Sequence, residues 1–159
     1  MGEFIKSVLL LYIKTPQTMD KEGQVTGFGG IFFKTDDPEK IKQWYYDNLK
    51  LVPNEYGSLF EFREGANPQQ KAYNQWAPFK SDSSYFEPSK KDFMINFRVV
   101  NIENLIEQLR NKGINIITEI ETYEYGKFAH IIDPEGIKIE LWEPIDTVFT
   151  KMYEGKTTM

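Results

Sequence analysis

Two side chains late in this 159-residue chain carry most of its capacity for acid–base chemistry: His130, the sole histidine, and Glu140, ten positions further on. A carboxylate can accept a proton from a carbon next to a carbonyl, and an imidazole exchanges protons near neutral pH. Glu140 stands in Ile137-Lys-Ile-Glu-Leu-Trp-Glu143, an alternating stretch. As a strand it puts Lys138, Glu140 and Trp142 on one face and Ile137, Ile139 and Leu141 on the other. The same alternation groups Gly30, Phe32 and Lys34, and then Met94, Asn96 and Arg98, opposite Ile31, Phe33, Ile95 and Phe97. A polar face holding Lys34, Asn96, Arg98, Lys138 and Glu140 reads in two ways, as paired, hydrogen-bonded charge or as a ligand-contacting site. Arg98 is accordingly an ion-pair partner or an anion clamp, and His130 a satisfied sheet histidine or an acid–base group.

Composition removes several other chemistries. The chain has no cysteine, which excludes disulfides, thiolate metal sites and a cysteine nucleophile; the cytosol is the simplest compartment to expect. With 19 basic against 24 acidic residues the net charge is -5, so nucleic acid is not an expected partner. The apolar run Ser7 to Ile13 is too short to cross a bilayer, and no membrane segment is expected. At 40% apolar and 15% aromatic residues the chain can bury one domain's core.

The elements that would position these residues repeat. An offset of 64 pairs Ile31 with Ile95, Phe33 with Phe97, Lys34 with Arg98, Glu39 with Glu103 and Ile41 with Leu105, each block reading as a strand running into a helix. In the first helix Asp37 can cap, Pro38 suits the first turn, and Ile41, Trp44, Tyr45 and Leu49 share a face. In the second, Asn101 can cap, Ile102, Leu105, Ile106 and Leu109 form the stripe, and Gly113 ends it. An offset of 56 aligns Trp76–Pro88 with Ile132–Pro144, each read as strand, Pro turn, strand. Eight strands are therefore expected, at 29–35, 58–64, 71–77, 83–87, 93–100, 115–122, 128–132 and 137–143. The fold class is α+β: two βαβββ modules, 27–89 and 92–146, forming a curved, mostly antiparallel sheet with helices on its outer face. Residues 1–26 precede the repeat as an added strand or a non-native segment, and 147–159 read as a tail.

The string Phe128-Ala-His-Ile-Ile-Asp-Pro-Glu-Gly-Ile-Lys-Ile-Glu-Leu-Trp-Glu-Pro144, with the helix around Trp44-Tyr45 and Leu49, resembles the glyoxalase/bleomycin-resistance/dioxygenase (vicinal oxygen chelate) superfamily over roughly Gly27 to Pro144. The resemblance implies a cleft against the sheet, frequent dimers, and in metal-using members four ligands at positions that fall here on Gly30, Ser84, Met94 and Glu140. Only Glu140 among these is a competent ligand, and a divalent metal needs three or four. No cofactor is expected; a divalent metal, if held, would take Glu140 with His130 or Glu61. The repeat places His130 and Trp76 in the cleft, where Trp76, Trp142 and Phe32 are wall or stacking platform. Thr122 to Lys127 is a turn or a mobile lip.

Two functions follow from that reading. In one, the cleft binds a small organic molecule without chemistry, through Arg98, Asn96, Lys34, Trp76, Trp142, His130 and Glu61, as drug-sequestering members do. In the other, Glu140 is the general base of a lyase or isomerase of the lactoylglutathione lyase type, with metal, Arg98, Lys34 or His130 stabilising an enediolate. A structural module, its cleft plugged by its own aromatics, is the third possibility. If Glu140 and Arg98 face each other across the cleft, opposite charge should hold Glu140 as a paired group.

Overall fold

The computed structural model describes residues 22–158, so the N-terminal segment expected before the repeat lies largely outside the described residues. Along the chain come β1 (Gln24–Thr35), α1 (Pro38–Leu49), β2 (Ser58–Glu64), β3 (Asn67–Lys80), a single 3-10 turn (Ser84–Phe86), β4 (Phe93–Val100), α2 (Ile102–Asn111), β5 (Glu121–Tyr123), β6 (Gly126–Ile132), β7 (Lys138–Pro144) and α3 (Asp146–Tyr153). The strands form one sheet in the order β2-β3-β1-β4-β7-β6-β5. Pairing is antiparallel except for β1 with β3 and β4 with β7, so the sheet is mixed.

Seven strands, not eight, are present among the described residues. The stretch expected as a fourth strand, 83–87, turns instead, because the Ser83 hydroxyl accepts the Tyr85 N–H at 3.3 Å and starts a 3-10 turn. Pro78, aligned with the turn proline Pro134, lies inside β3 opposite Phe33. Of 115–122, only Glu121 and Thr122 enter a strand, with Ile116 bridging Ile131.

Strand alternation divides the sheet into two faces. Ile31, Ile95 and Ile139 lie in register across β1, β4 and β7 and mark the face that α1 and α2 cover. There Ile102 and Ile106 are buried against Val99, Ala129 and Leu141, with Leu105 and Leu109 partly buried beside them. Removing that much apolar surface from water is the main force holding α2 down. The helix ends at Gly113, whose φ of 75° suits a residue without Cβ. Asn101 does not cap through its side chain; it sits left-handed, and its N–H donates to the Glu143 carboxylate at 2.6 Å. In α1, Asp37 caps through the Lys40 N–H at 3.0 Å. Its stripe is less buried than expected: Tyr45 packs on Trp76, but Trp44 and Leu49 are exposed.

The opposite face is covered by the segment expected to be a tail. Helix α3 lies on β3, and Phe149 packs with Leu59, Tyr73 and Trp142. Its start is tied by Asp146 to Arg98 at 2.5 Å, its middle by the Tyr73 hydroxyl to Thr150 at 3.0 Å, and its end by Lys71 to Glu154 at 3.4 Å. Beyond it, the Thr158 N–H donates to the Leu59 carbonyl at 2.8 Å. Not every helix, therefore, lies on one side of the sheet.

Candidate functional site

On the face under α3, five residues follow one another across five strands: Gln75 on β3, Gly30 on β1, Asn96 on β4, Glu140 on β7 and His130 on β6. Their order is a consequence of register, since each is the Cα partner of the next. Glu140 and Asn96 are both 2% exposed. The Glu140 carboxylate accepts hydrogen bonds from the Asn96 amide at 2.6 Å, from the His130 imidazole at 2.9 Å and from the Tyr85 hydroxyl. A buried carboxylate needs such donors, because leaving it unsatisfied costs several kcal/mol or more.

On the far side of Glu140, His130 is held by Thr118. The Thr118 hydroxyl oxygen accepts the His130 backbone N–H at 3.1 Å and lies 3.0 Å from Nδ1. The hydrogen on Nε2 points at Glu140, because a carboxylate can only accept, and the Thr118 hydroxyl faces the other ring nitrogen. The floor of the cleft is thus a chain from Thr118 through His130 to Glu140, with Tyr85 closing it from above.

Asn96 is held with its Nδ2 on Glu140, so its Oδ1 points away, and that buried oxygen has no hydrogen-bond partner. The room for it comes from Gly29: a Cβ there would sit 1.7 Å from Oδ1. Asn96 and Gly29 line a space of about 110 Å³, which shares Phe32, Gln75, Tyr125, Phe128, Glu140 and Phe149 with an outer one of about 250 Å³. Tyr153 and Met152 of α3 complete the outer wall, and Phe79 and Tyr85, stacked at 5.5 Å, close another side. Burial and the Glu140 charge push the Tyr85 phenol far up, keeping it a hydrogen-bond donor.

The other residues singled out from the sequence have separate fates. Trp142 lies on the cleft face, lines the inner space and stacks on Phe128. Arg98 shares that face but is not the partner of Glu140. It bonds Glu64 at 3.0 Å and Asp146 at 2.5 Å, and its guanidinium lies over Trp142. The expected Arg98–Glu140 pairing is therefore corrected, because Arg98 stands level with Trp142 in the register and two acids on other elements claim it. Burial pushes the Asp146 carboxyl up, against the lowering effect of Arg98.

Lys34 lies over the Phe86 ring, and Lys138 donates to the Tyr85 carbonyl at 2.6 Å, its amine pushed down by burial. Trp76 is not in the cleft. It packs on Phe33 and on Tyr45 of α1 at the opposite face, since Tyr73 and Ala77 set the parity of β3 the other way. Glu61 pairs with Lys71 at 3.2 Å and with Arg63 at 3.6 Å, away from Glu140.

Sequence reading missed Tyr85, Thr118, Gln75 and the aromatics of α3. The signal for Tyr85 was the run Ser81-Asp-Ser-Ser84, a better turn than strand start. At the two first-strand positions Gly30 has no side chain and Met94 offers only a thioether, a poor ligand for a hard divalent ion. Among the described residues no group of three or more His, Cys, Asp or Glu side chains could hold an ion.

A family model described as a glyoxalase-like domain matches residues 28–146. Solved structures share the fold at low identity. Methylmalonyl-CoA epimerase from Mycobacterium tuberculosis aligns over 84% of this chain and 97% of its own, at 18% identity and a TM-score of 0.52. A variant of the Streptomyces coelicolor methylmalonyl-CoA epimerase, in complex with 2-nitronate-propionyl-CoA, aligns over 77% and 99%, at 13% identity and a TM-score of 0.56. No curated protein sequence matches the chain.

Proposed function

The chain belongs to the glyoxalase-like domain family of the vicinal oxygen chelate superfamily, and from that premise we propose that its cleft binds a small organic molecule, held among aromatic rings over the Glu140–Asn96 floor. One observation carries this: an orphaned, buried acceptor, Asn96 Oδ1, belongs to the lining of the inner space of about 110 Å³, which shares its aromatic walls and Glu140 with the outer space of about 250 Å³. Ligand sites are mostly apolar with a few fixed polar groups, and a buried acceptor without a partner costs about 1–3 kcal/mol until something donates to it. The α3 aromatics narrow the cleft without filling it, which favours a binding site over a plugged structural module. The shortage of ligand atoms fits loss of the family's metal set. The test is a thermal-shift screen of small carbonyl compounds, aromatic acids and amines against wild type and Glu140→Gln. At least one compound should raise the wild-type midpoint and raise the variant's less; silence in wild type, or identical responses, contradicts the assignment.

A second reading has its own observation. Glu140 lies between two proton-bearing groups, His130 Nε2–H and the Tyr85 hydroxyl, and neighbours of this fold are named methylmalonyl-CoA epimerases. If the Tyr85 hydroxyl swings off the carboxylate, Glu140 can take a proton from a carbon next to a carbonyl while Tyr85 or His130 donates to the developing enediolate oxygen. As the structure stands, three donors hold the carboxylate as an acceptor with room for one further hydrogen bond, so binding is the preferred reading. Exchange of the α-proton of bound carbonyl compounds for deuterium, lost in Glu140→Gln, would establish the catalytic one.

The remaining organisation is part of the same proposal. Residues 27–146 form the domain as two modules related across β1 and β4, where Ile31 faces Ile95, and a homodimer is compatible with it. No described helix is long and apolar enough to cross a membrane.

A further inference from the structure

Three cations belong to the cleft face, and each is already engaged. Arg98 is held by Glu64 and Asp146, Lys138 by the Tyr85 carbonyl, and Lys34 lies over Phe86. None of them lines either of the two spaces above Asn96, nor does any other Lys, Arg or His among the described residues. The single carboxylate in those walls is Glu140, whose hydrogen-bonding partners are an amide, a phenol and an imidazole. Lys138, two residues along β7, is the cation nearest in sequence, and burial works against its charge. The negative field of Glu140 extends to Tyr85 and Tyr125, both pushed up in part by it.

Two wall residues keep a buried polar atom without a partner: Trp142 Nε1, which lies against Gly126, and the acceptor Asn96 Oδ1, beside that carboxylate. What suits acceptors in a negative field is a donor with positive charge, and aromatic rings attract a cation through their quadrupoles, more strongly once it is desolvated. A carboxylate or phosphate would enter beside Glu140 with no cation to receive it.

We propose, resting on the binding reading above, that the cleft selects a small organic cation: a protonated amine on a single ring, its N–H groups on Glu140 and Asn96 Oδ1 and its ring among Phe32, Tyr125, Phe128 and Phe149. This departs from anion recognition, which the basic residues of the sequence suggest until their partners are seen. The volume of the outer space, about 250 Å³, suits one ring and a short arm rather than a large conjugate.

Calorimetric titration near neutral pH with three probes of matched shape tests it: phenethylamine, 2-phenylethanol and 3-phenylpropanoate. The amine should bind at least about tenfold more tightly than the alcohol, and the propanoate more weakly than either. Glu140→Gln should weaken the amine at least about tenfold and the alcohol less than about threefold. Because Glu140 also ties β4, β6 and β7 together, Tyr125→Leu is measured beside it and should again cost the amine more than the alcohol. Alcohol or propanoate binding as tightly as the amine overturns the cation proposal and leaves the binding reading standing. An amine-to-alcohol ratio unchanged in both variants overturns it as well. If none of the three probes binds, the binding reading fails with it.

Discussion

Two buried polar clusters stand two residues apart on β4, and they are built differently. Arg98 meets formal charges, Glu64 and Asp146, and the second of these begins α3. Asn96, with the Tyr85 phenol and the His130 imidazole, donates to Glu140 and leaves one acceptor of its own unpartnered beside a cavity. Each cluster keeps one buried oxygen unpartnered, Asp146 Oδ1 in the first and Asn96 Oδ1 in the second, so what separates them is the donor: a guanidinium that ties β4 to α3 in one, and an amide, a phenol and an imidazole under aromatic walls in the other.

The largest effect should come from the Arg98 cluster. Arg98→Met strands two acids against a largely buried position and should destabilise the fold by about 3–5 kcal/mol, measured by urea unfolding. It should also loosen α3, seen as faster amide exchange at Phe149 and Thr150. A loss under about 1 kcal/mol would erase the contrast between the clusters.

At the Asn96–Glu140 cluster the stability effects are smaller and the ligand effects larger. Tyr85→Phe removes one donor from Glu140 and should cost about 1 kcal/mol. Its pH dependence sharpens the assignment. The unfolded chain releases the Tyr85 proton near its ordinary value of 10.0, while the folded state retains it at that pH. The stability from the protonated phenol is therefore complete below about pH 10 and lost as pH rises beyond it. Tyr85→Phe should flatten this alkaline loss; an unchanged slope would mean that the phenol is neither buried nor resting on Glu140.

The smallest effect belongs to Glu61. Its partners Lys71 and Arg63 are at the surface, where such pairs contribute little. Glu61→Gln should leave the unfolding midpoint and every ligand response unchanged, and a lost response would bring Glu61 back into the site.

What the sequence made legible was what alternation and spacing encode. The bounds of β2 and β4, the faces of Glu140, Trp142, Asn96 and Ile139, and the stripe of α2 all follow from periods of 2 and 3.6. Trp76 escaped because β3 mixes polar and apolar side chains on both faces, so alternation has no anchor there. Arg98 was placed on the right face and given the wrong partner: Glu64 and Asp146 lie 34 and 48 residues away, and no local pattern links them. The α3 segment read as a tail because the repeat stops before it, although Phe149 and Tyr153 stand one helical turn apart. Tyr85 was hidden by an alignment of prolines that the fold does not use as equivalent turns.

Proton–nitrogen NMR on labelled protein, titrated with phenethylamine and in parallel with 2-phenylethanol, addresses the cleft most directly. The Asn96 side-chain amide and the backbone amides of Tyr125 and Phe149 should shift together and saturably with at least one probe. The shifts should be weakened by Glu140→Gln. Saturable shifts confined to other surfaces, or none with either probe, would contradict a ligand site over Glu140 and Asn96.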